Sequence, residues 1–177
     1  MKVMHRAHRG FSLIELIVGL VVMSIALTFL STLFFSNPSR SVEPLLQIRA
    51  AQFGSALMDE ILSKKFDELT PEGGVPACTA CSALLGSDGE SRDSYDDVDD
   101  YNDSCGARIP LTDALGNSPA HYNNYEMEVC VFYDDNYDGV DDGATGNTAK
   151  LITINIYLPP GSGLSAPLTF SAYKGNY

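Results

Sequence analysis

Basic residues are scarce in this sequence. Eleven Lys and Arg stand against 23 Asp and Glu, a formal net charge of −12. A chain with that balance repels phosphate backbones, so nucleic acid is excluded as a partner. Histidine is scarcer still: of three, only His121 lies beyond the first ten residues. The sequence has no Ser-His-Asp or Cys-His spacing, no phosphate-cradling glycine loop and no helix-borne pair of metal ligands. One histidine in a loop does not make a catalytic constellation, and the chain reads as a non-enzyme. Cysteine is sparse but even in number: Cys78, Cys81, Cys105 and Cys130. The 177 residues leave room for one ordinary domain.

Apolar residues, by contrast, are concentrated at the start. Residues 1–10 are short and basic, with Lys2, Arg6 and Arg9. From Phe11 to Phe35 the only charge is Glu15. About 20 apolar helical residues cross a bilayer. The basic flank stays cytoplasmic under the positive-inside rule, which puts the acidic remainder on the far side. A secretory signal has a shorter apolar run, about 7–15 residues, and then a small-x-small cleavage site. "FFSNPSRS" contains no such site. A plain anchor fits the length but leaves Glu15 unexplained, because a carboxylate at mid-membrane costs about 2.5–3.5 kcal/mol.

The segment "RGFSLIELIVGLVVMSIAL" resembles the class III signal of type IV pilins and pseudopilins. The resemblance implies a dedicated prepilin peptidase that cuts between Gly10 and Phe11 and then methylates the amine of Phe11. Glu15 becomes the fifth mature residue, the acid that marks the family. In a staggered bundle of such helices, its carboxylate pairs with the Phe11 amine of a neighbouring subunit. A buried charge is tolerable with a partner and strongly unfavourable without one, so Glu15 acts as a registry device. Losing the leader removes three of the basic residues and leaves a side-chain charge of −15.

Beyond the apolar run, Asn37-Pro38 and Pro44 interrupt the helical pattern. The period returns from Leu45, with Leu45, Ile48, Phe53, Leu57, Ile61 and Leu62 expected on one face. Thr70-Pro71-Glu72-Gly73-Gly74 is the expected stop. Three later segments alternate as strands: "NYEMEVCVFY" over 124–133, "KLITINIYLP" over 150–159 and "PLTFSAY" over 167–173. A sheet laid on the amphipathic helix buries both apolar faces. The expected fold is α+β and type IV pilin-like. Residues 1–10 are the leader, 11–36 the membrane and filament-core helix, and 45–177 the head.

About 50 residues between helix and sheet have little periodicity, so something must organise them. Cysteine is one means. Cys78 and Cys81 form a CxxC, but zinc wants a second close pair, and Cys105 and Cys130 are far apart in sequence. Two structural disulfides fit better, with three pairings open, and Cys130 in a strand is placed to tie the loop to the sheet. Acid is another. "DDNYDGVDDG" sets Asp134, Asn136, Asp138 and Gly139 at the spacing of half a calcium loop, with Asp142 at the ninth position. Thr145 stands where an EF-hand has its bidentate Glu, so the candidate is a simpler Ca²⁺ turn. "RDSYDDVDDYNDSC" is read as a solvated loop.

The whole pattern is most similar to minor prepilins of the mannose-sensitive haemagglutinin pilus. That resemblance implies an assembly subunit of an adhesive surface filament. Its partners would be the prepilin peptidase/methyltransferase, other major and minor pilins, and the inner-membrane assembly machinery. It would sit in the inner membrane with its head in the periplasm, then in a pilus at the cell surface. A minor pseudopilin of type II secretion and a membrane-tethered calcium-dependent adhesin are the alternatives.

Overall fold

The computed structural model describes residues 10–35, 43–143 and 146–177. The basic leader, the expected break at Asn37-Pro38 and Thr145 lie outside the described residues. The chain divides into two units, split between Ser41 and Val42.

The first unit contains α1, Leu13–Phe35. Its segment Leu13–Phe34 is the one described helix long and apolar enough to cross a membrane. Four hydroxyls interrupt the apolar run, and each bonds to its own helix: Ser24 to Leu20 O, Thr28 to Ser24 O, Ser31 to Leu27 O and Thr32 to Phe29 O, at 2.8–2.9 Å. Polar groups satisfied within the helix need nothing from lipid.

The second unit opens with α2, Glu43–Ser63. Pro44 stands in its first turn, where a missing N–H costs nothing, so this proline starts the helix instead of breaking it. Four strands follow: β1 Ile109–Pro110, β2 Glu126–Tyr133, β3 Ala149–Tyr157 and β4 Leu168–Gly175. They form one antiparallel sheet in the order β1-β2-β3-β4. The three long strands agree with the expected segments to within two residues at each end.

Register builds the core. One face of the sheet carries the cross-strand rows Met127–Ile156–Leu168, Val129–Ile154–Phe170 and Val131–Ile152–Ala172. Ala50, Leu57, Met58 and Ile61 of α2 pack on these rows. Each fully buried aliphatic side chain contributes about 1.5–3 kcal/mol. Two residues of the expected stripe lie elsewhere, since Leu45 and Ile48 are 48% and 55% exposed. At about 100° per residue they fall on the side of the helix opposite Ile61, while Ala50 and Gly54 share its face. Size, not periodicity, hid those two small residues.

The helix also ends at Ser63, earlier than Thr70. Tertiary bonds take the chain away: Lys65 N donates to Asp96 O, and Val98 N donates to Lys65 O, at 3.2 and 3.1 Å. Phe66 and Asp67 then turn inward and are buried.

Gly54 faces the Phe170 ring, where an added Cβ would lie 2.3–2.8 Å from three ring carbons. Gly54→Ala gains about 1 kcal/mol of helix propensity. It must also displace a ring packed on the core. The expected net result is a loss of about 1–3 kcal/mol in urea unfolding, and a stabilised variant would refute this packing.

Candidate functional site

Gly10 and Phe11 precede α1, and Phe11 is 84% exposed. Glu15 is the acid in the first turn, where the helix dipole favours a negative charge. Both Glu15 N and Leu16 N donate to Ser12 O, at 3.0 and 3.2 Å. Ser12 and Glu15 also stand at the S-x-x-E spacing common at helix starts, with these bonds running to the Ser12 backbone carbonyl. Glu15 is exposed on a helix whose side chains are otherwise uncharged.

In the head, the acidic segment expected to be solvated is instead buried at its centre, while Asp96 and Asp103 are exposed. Asp97, Asp99 and Asp100 are each less than 5% exposed. Two carboxylates clamp the turn from opposite sides. Asp97 Oδ1 accepts from Asp99 N and Asp100 N, at 2.9 and 3.2 Å. Asp100 Oδ2 accepts from Asp96 N and Asp97 N, at 2.8 and 3.0 Å. A 3-10 helix over Asp99–Ser104 follows. It lies along the edge of β2 that β1 leaves uncovered: Val131 N donates to Asn102 Oδ1 and Val129 N to Ser104 Oγ, at 2.8 and 2.9 Å. Side chains therefore do the work of a missing edge strand.

The disulfides are Cys78–Cys81 and Cys105–Cys130. The second joins the end of this 3-10 helix to β2, as the position of Cys130 suggested. It closes the larger loop, and so constrains the unfolded chain more than the CxxC does.

Behind the turn sits Lys150, fully buried. It continues the core face of β3 as the row Tyr133–Lys150–Lys174. Its Nζ donates to Phe66 O at 2.7 Å, lies 2.5 Å from Asp99 Oδ1 and 3.4 Å from Asp67 Oδ2. The rings of Phe66 and Tyr133 lie 4.6 and 5.1 Å from the nitrogen. Asp67 also accepts from Leu69 N, Ser82 N and Ser82 Oγ. Two buried carboxyls therefore contact one buried amine, and Asp97 lies behind Asp99. Burial, then the neighbouring Asp99 charge, pushes the Asp97 carboxyl up to about 8.

The proposed calcium residues form a tight turn after β2. Asp134 is buried; its Oδ1 accepts from Asp138 N, and its Oδ2 from Gly139 N and Tyr173 Oη. Asn136 Oδ1 accepts from Asp138 N, and Asp142 Oδ2 from Asp135 N, both at 2.9 Å. Gly139 has φ +81°, the bend that glycine permits. Burial raises the Asp134 carboxyl, but the hydrogen bonds outweigh it, and the group sits below the usual range. His121 is exposed in a short 3-10 helix over Ala120–Tyr122.

Residues 5–31 match the family model of the prokaryotic N-terminal methylation motif. The match covers the signal and most of α1, and none of the head. No curated protein and no solved structure matches the chain. The chain therefore carries the prepilin-type signal of type IV pilins and pseudopilins, which implies processing by prepilin peptidase and supports membrane anchoring through α1. Its α+β architecture, with an apolar N-terminal helix, a second helix and an antiparallel sheet tied by two disulfides, is pilin-like.

Asp97 gives the head a pH dependence of known sign. Its carboxyl rises from an ordinary 3.8 to about 8, so the folded state holds this proton more tightly than the unfolded state. The stability it contributes is full below about pH 4 and is lost as pH rises through about 8. Asp134 and Asp135, held low, act oppositely and lose stability in stronger acid. Urea midpoints are expected to peak in mild acid and fall towards pH 9. Asp97→Asn keeps an oxygen for both amides and should flatten the alkaline fall by at least about 1 kcal/mol. An unchanged slope would refute the assignment.

Proposed function

We propose that this protein is a minor type IV pilin, an assembly subunit of an adhesive cell-surface filament, most resembling the minor prepilin MshD of the mannose-sensitive haemagglutinin pilus. The observation that carries the reading is Glu15, the lone charge of α1, placed five residues after the Gly10–Phe11 junction. The acidic, disulfide-tied head supports a subunit that works outside the cytoplasm. The chain is inserted in the inner membrane by residues 11–36, with the head in the periplasm. The peptidase/methyltransferase processes it at Gly10, and the assembly machinery then moves it into a filament of other pilins. There Glu15 meets the amine of an adjacent Phe11.

N-terminal analysis of the membrane-extracted protein is expected to show methylated Phe11. Glu15→Ala should leave that processing intact and reduce incorporation into filaments by at least about tenfold, the scale of one lost charge pairing. Filaments that incorporate the variant normally would overturn the reading and favour a tethered adhesin. Rescue of secretin-dependent export rather than pilus assembly would point to a type II pseudopilin.

The proposal includes a Ca²⁺ ion at Asp134, Asn136, Asp138 and Asp142. Support comes from the D-x-N-x-D-G spacing and from the turn, in which Asp134 Oδ1 and Asn136 Oδ1 both accept from Asp138 N ahead of the bend at Gly139. Millimolar Ca²⁺, but not Mg²⁺, should raise the melting temperature by a few degrees, about what ligand at ten to a hundred times its Kd provides. Asp138→Ala should abolish the rise. An unmoved wild-type melting temperature would remove the ion from the proposal.

A further inference from the structure

We propose that Lys150 and Asp99 are a self-modification site, at which an intramolecular amide bond forms between Lys150 Nζ and Asp99 Cγ with Asp67 as proton carrier. Four observations lead there. The first is proximity: Nζ lies 2.5 Å from one Asp99 oxygen and 3.4 Å from an Asp67 oxygen. Reacting groups held in that range gain an effective concentration of about 10⁵–10⁸ M over free partners.

The second is dryness. Lys150, Asp67 and Asp99 are 0%, 0% and 2% exposed, and the Phe66 and Tyr133 rings wall the nitrogen. Water, which drives an amide back to acid and amine, is excluded. A dry site also disfavours the ammonium–carboxylate form, and moving one proton within the pair gives amine and carboxylic acid at no change in net charge.

The third is an excess of acid. Asp67 and Asp99 share the one Lys150 cation, and burial pushes the Asp99 carboxyl up despite the facing lysine. The fourth is a third group within reach of the nucleophile. Asp67 Oδ2 contacts Nζ, and its amide and hydroxyl partners from Leu69 and Ser82 fix its position.

The step balances without any co-reactant. The neutral amine of Lys150 attacks Cγ of protonated Asp99 and the C–N bond forms. Asp67 takes a proton from the nitrogen and returns it to the departing hydroxyl. The C–O bond breaks and one water leaves. The product replaces two buried charges by a neutral amide and ties β3 to the 3-10 helix across 51 residues of sequence.

Mass spectrometry of the full-length protein, with its disulfides reduced, tests this. The expected result is a deficit of about 18 Da, one water, mapping to a branched tryptic peptide that joins the Asp99 and Lys150 segments. Trypsin should not cut after Lys150. Lys150→Arg keeps the charge but removes the nucleophile and should restore the full mass. Asp67→Asn should leave a mixture that is mostly unlinked. Cleavage after Lys150 with no deficit in folded wild-type protein would overturn the proposal and leave an ion pair only. So would a deficit confined to a linear peptide, such as a ring-closed Asp138-Gly139. The wild-type measurement decides even if neither variant folds.

Discussion

The head depends on one nitrogen. Lys150 Nζ is the buried amine among the described residues, and three segments far apart in sequence converge on it: the exit of α2 at Phe66 and Asp67, the acidic turn at Asp99, and β3 itself. Removing it would strand two buried carboxylates, which is far more damaging than losing one surface pair. The early end of α2 follows from the same constraint. Phe66 must present its carbonyl, and Asp67 its carboxylate, to a fixed point on the sheet. A helix continuing to Thr70 could not deliver both.

The long acidic segment is ordered by a second layer of the same logic. Asp97 and Asp100 take the four amides of their own turn, which frees Asp99 to face Lys150. The 3-10 helix then runs along β2, and Asn102 and Ser104 accept from its free amides. Cys105–Cys130 closes this arrangement covalently. A loop rich in Asp, usually a solvated feature, thus serves as the fourth wall of a small sheet. Arg92 adds a further tie, bridging to Glu60 of α2 at 2.7 Å while its guanidinium covers the Tyr101 ring.

Much of this was legible in the residues. Alternation marked β2, β3 and β4, because each has one face in a core and one outside. The signal was legible because a lone carboxylate in an apolar run is physically anomalous. What periodicity could not show was a core built on small residues, so Ala50 and Gly54 were overlooked and Leu45 and Ile48 were placed on the wrong side. Nor does β1, two residues long, leave any period to detect. The burial of Asp97, Asp99 and Asp100 was missed because composition reports polarity but not partners. One clue was available. In "KLITINIY", Lys150 shares parity with Ile152, Ile154 and Ile156, so the pleat that points the isoleucines inward must point the lysine inward too. An inward lysine requires buried acid, and the acid-rich segment was one of the two ample supplies in the chain.

Lys150 and Glu15 pose the same electrostatic problem in two media. Each is a solitary ionisable group set among apolar neighbours, and each is unfavourable unless an opposite group arrives. For Lys150 the answer is intramolecular, so the charge organises a single subunit and its satisfaction coincides with folding. For Glu15 the fold supplies a helix start, but the segment from Phe11 to Phe35 contains no cation. No side chain of that helix can neutralise it. The first charge is spent on specifying one chain's structure; in the pilin we propose, the second specifies how chains meet.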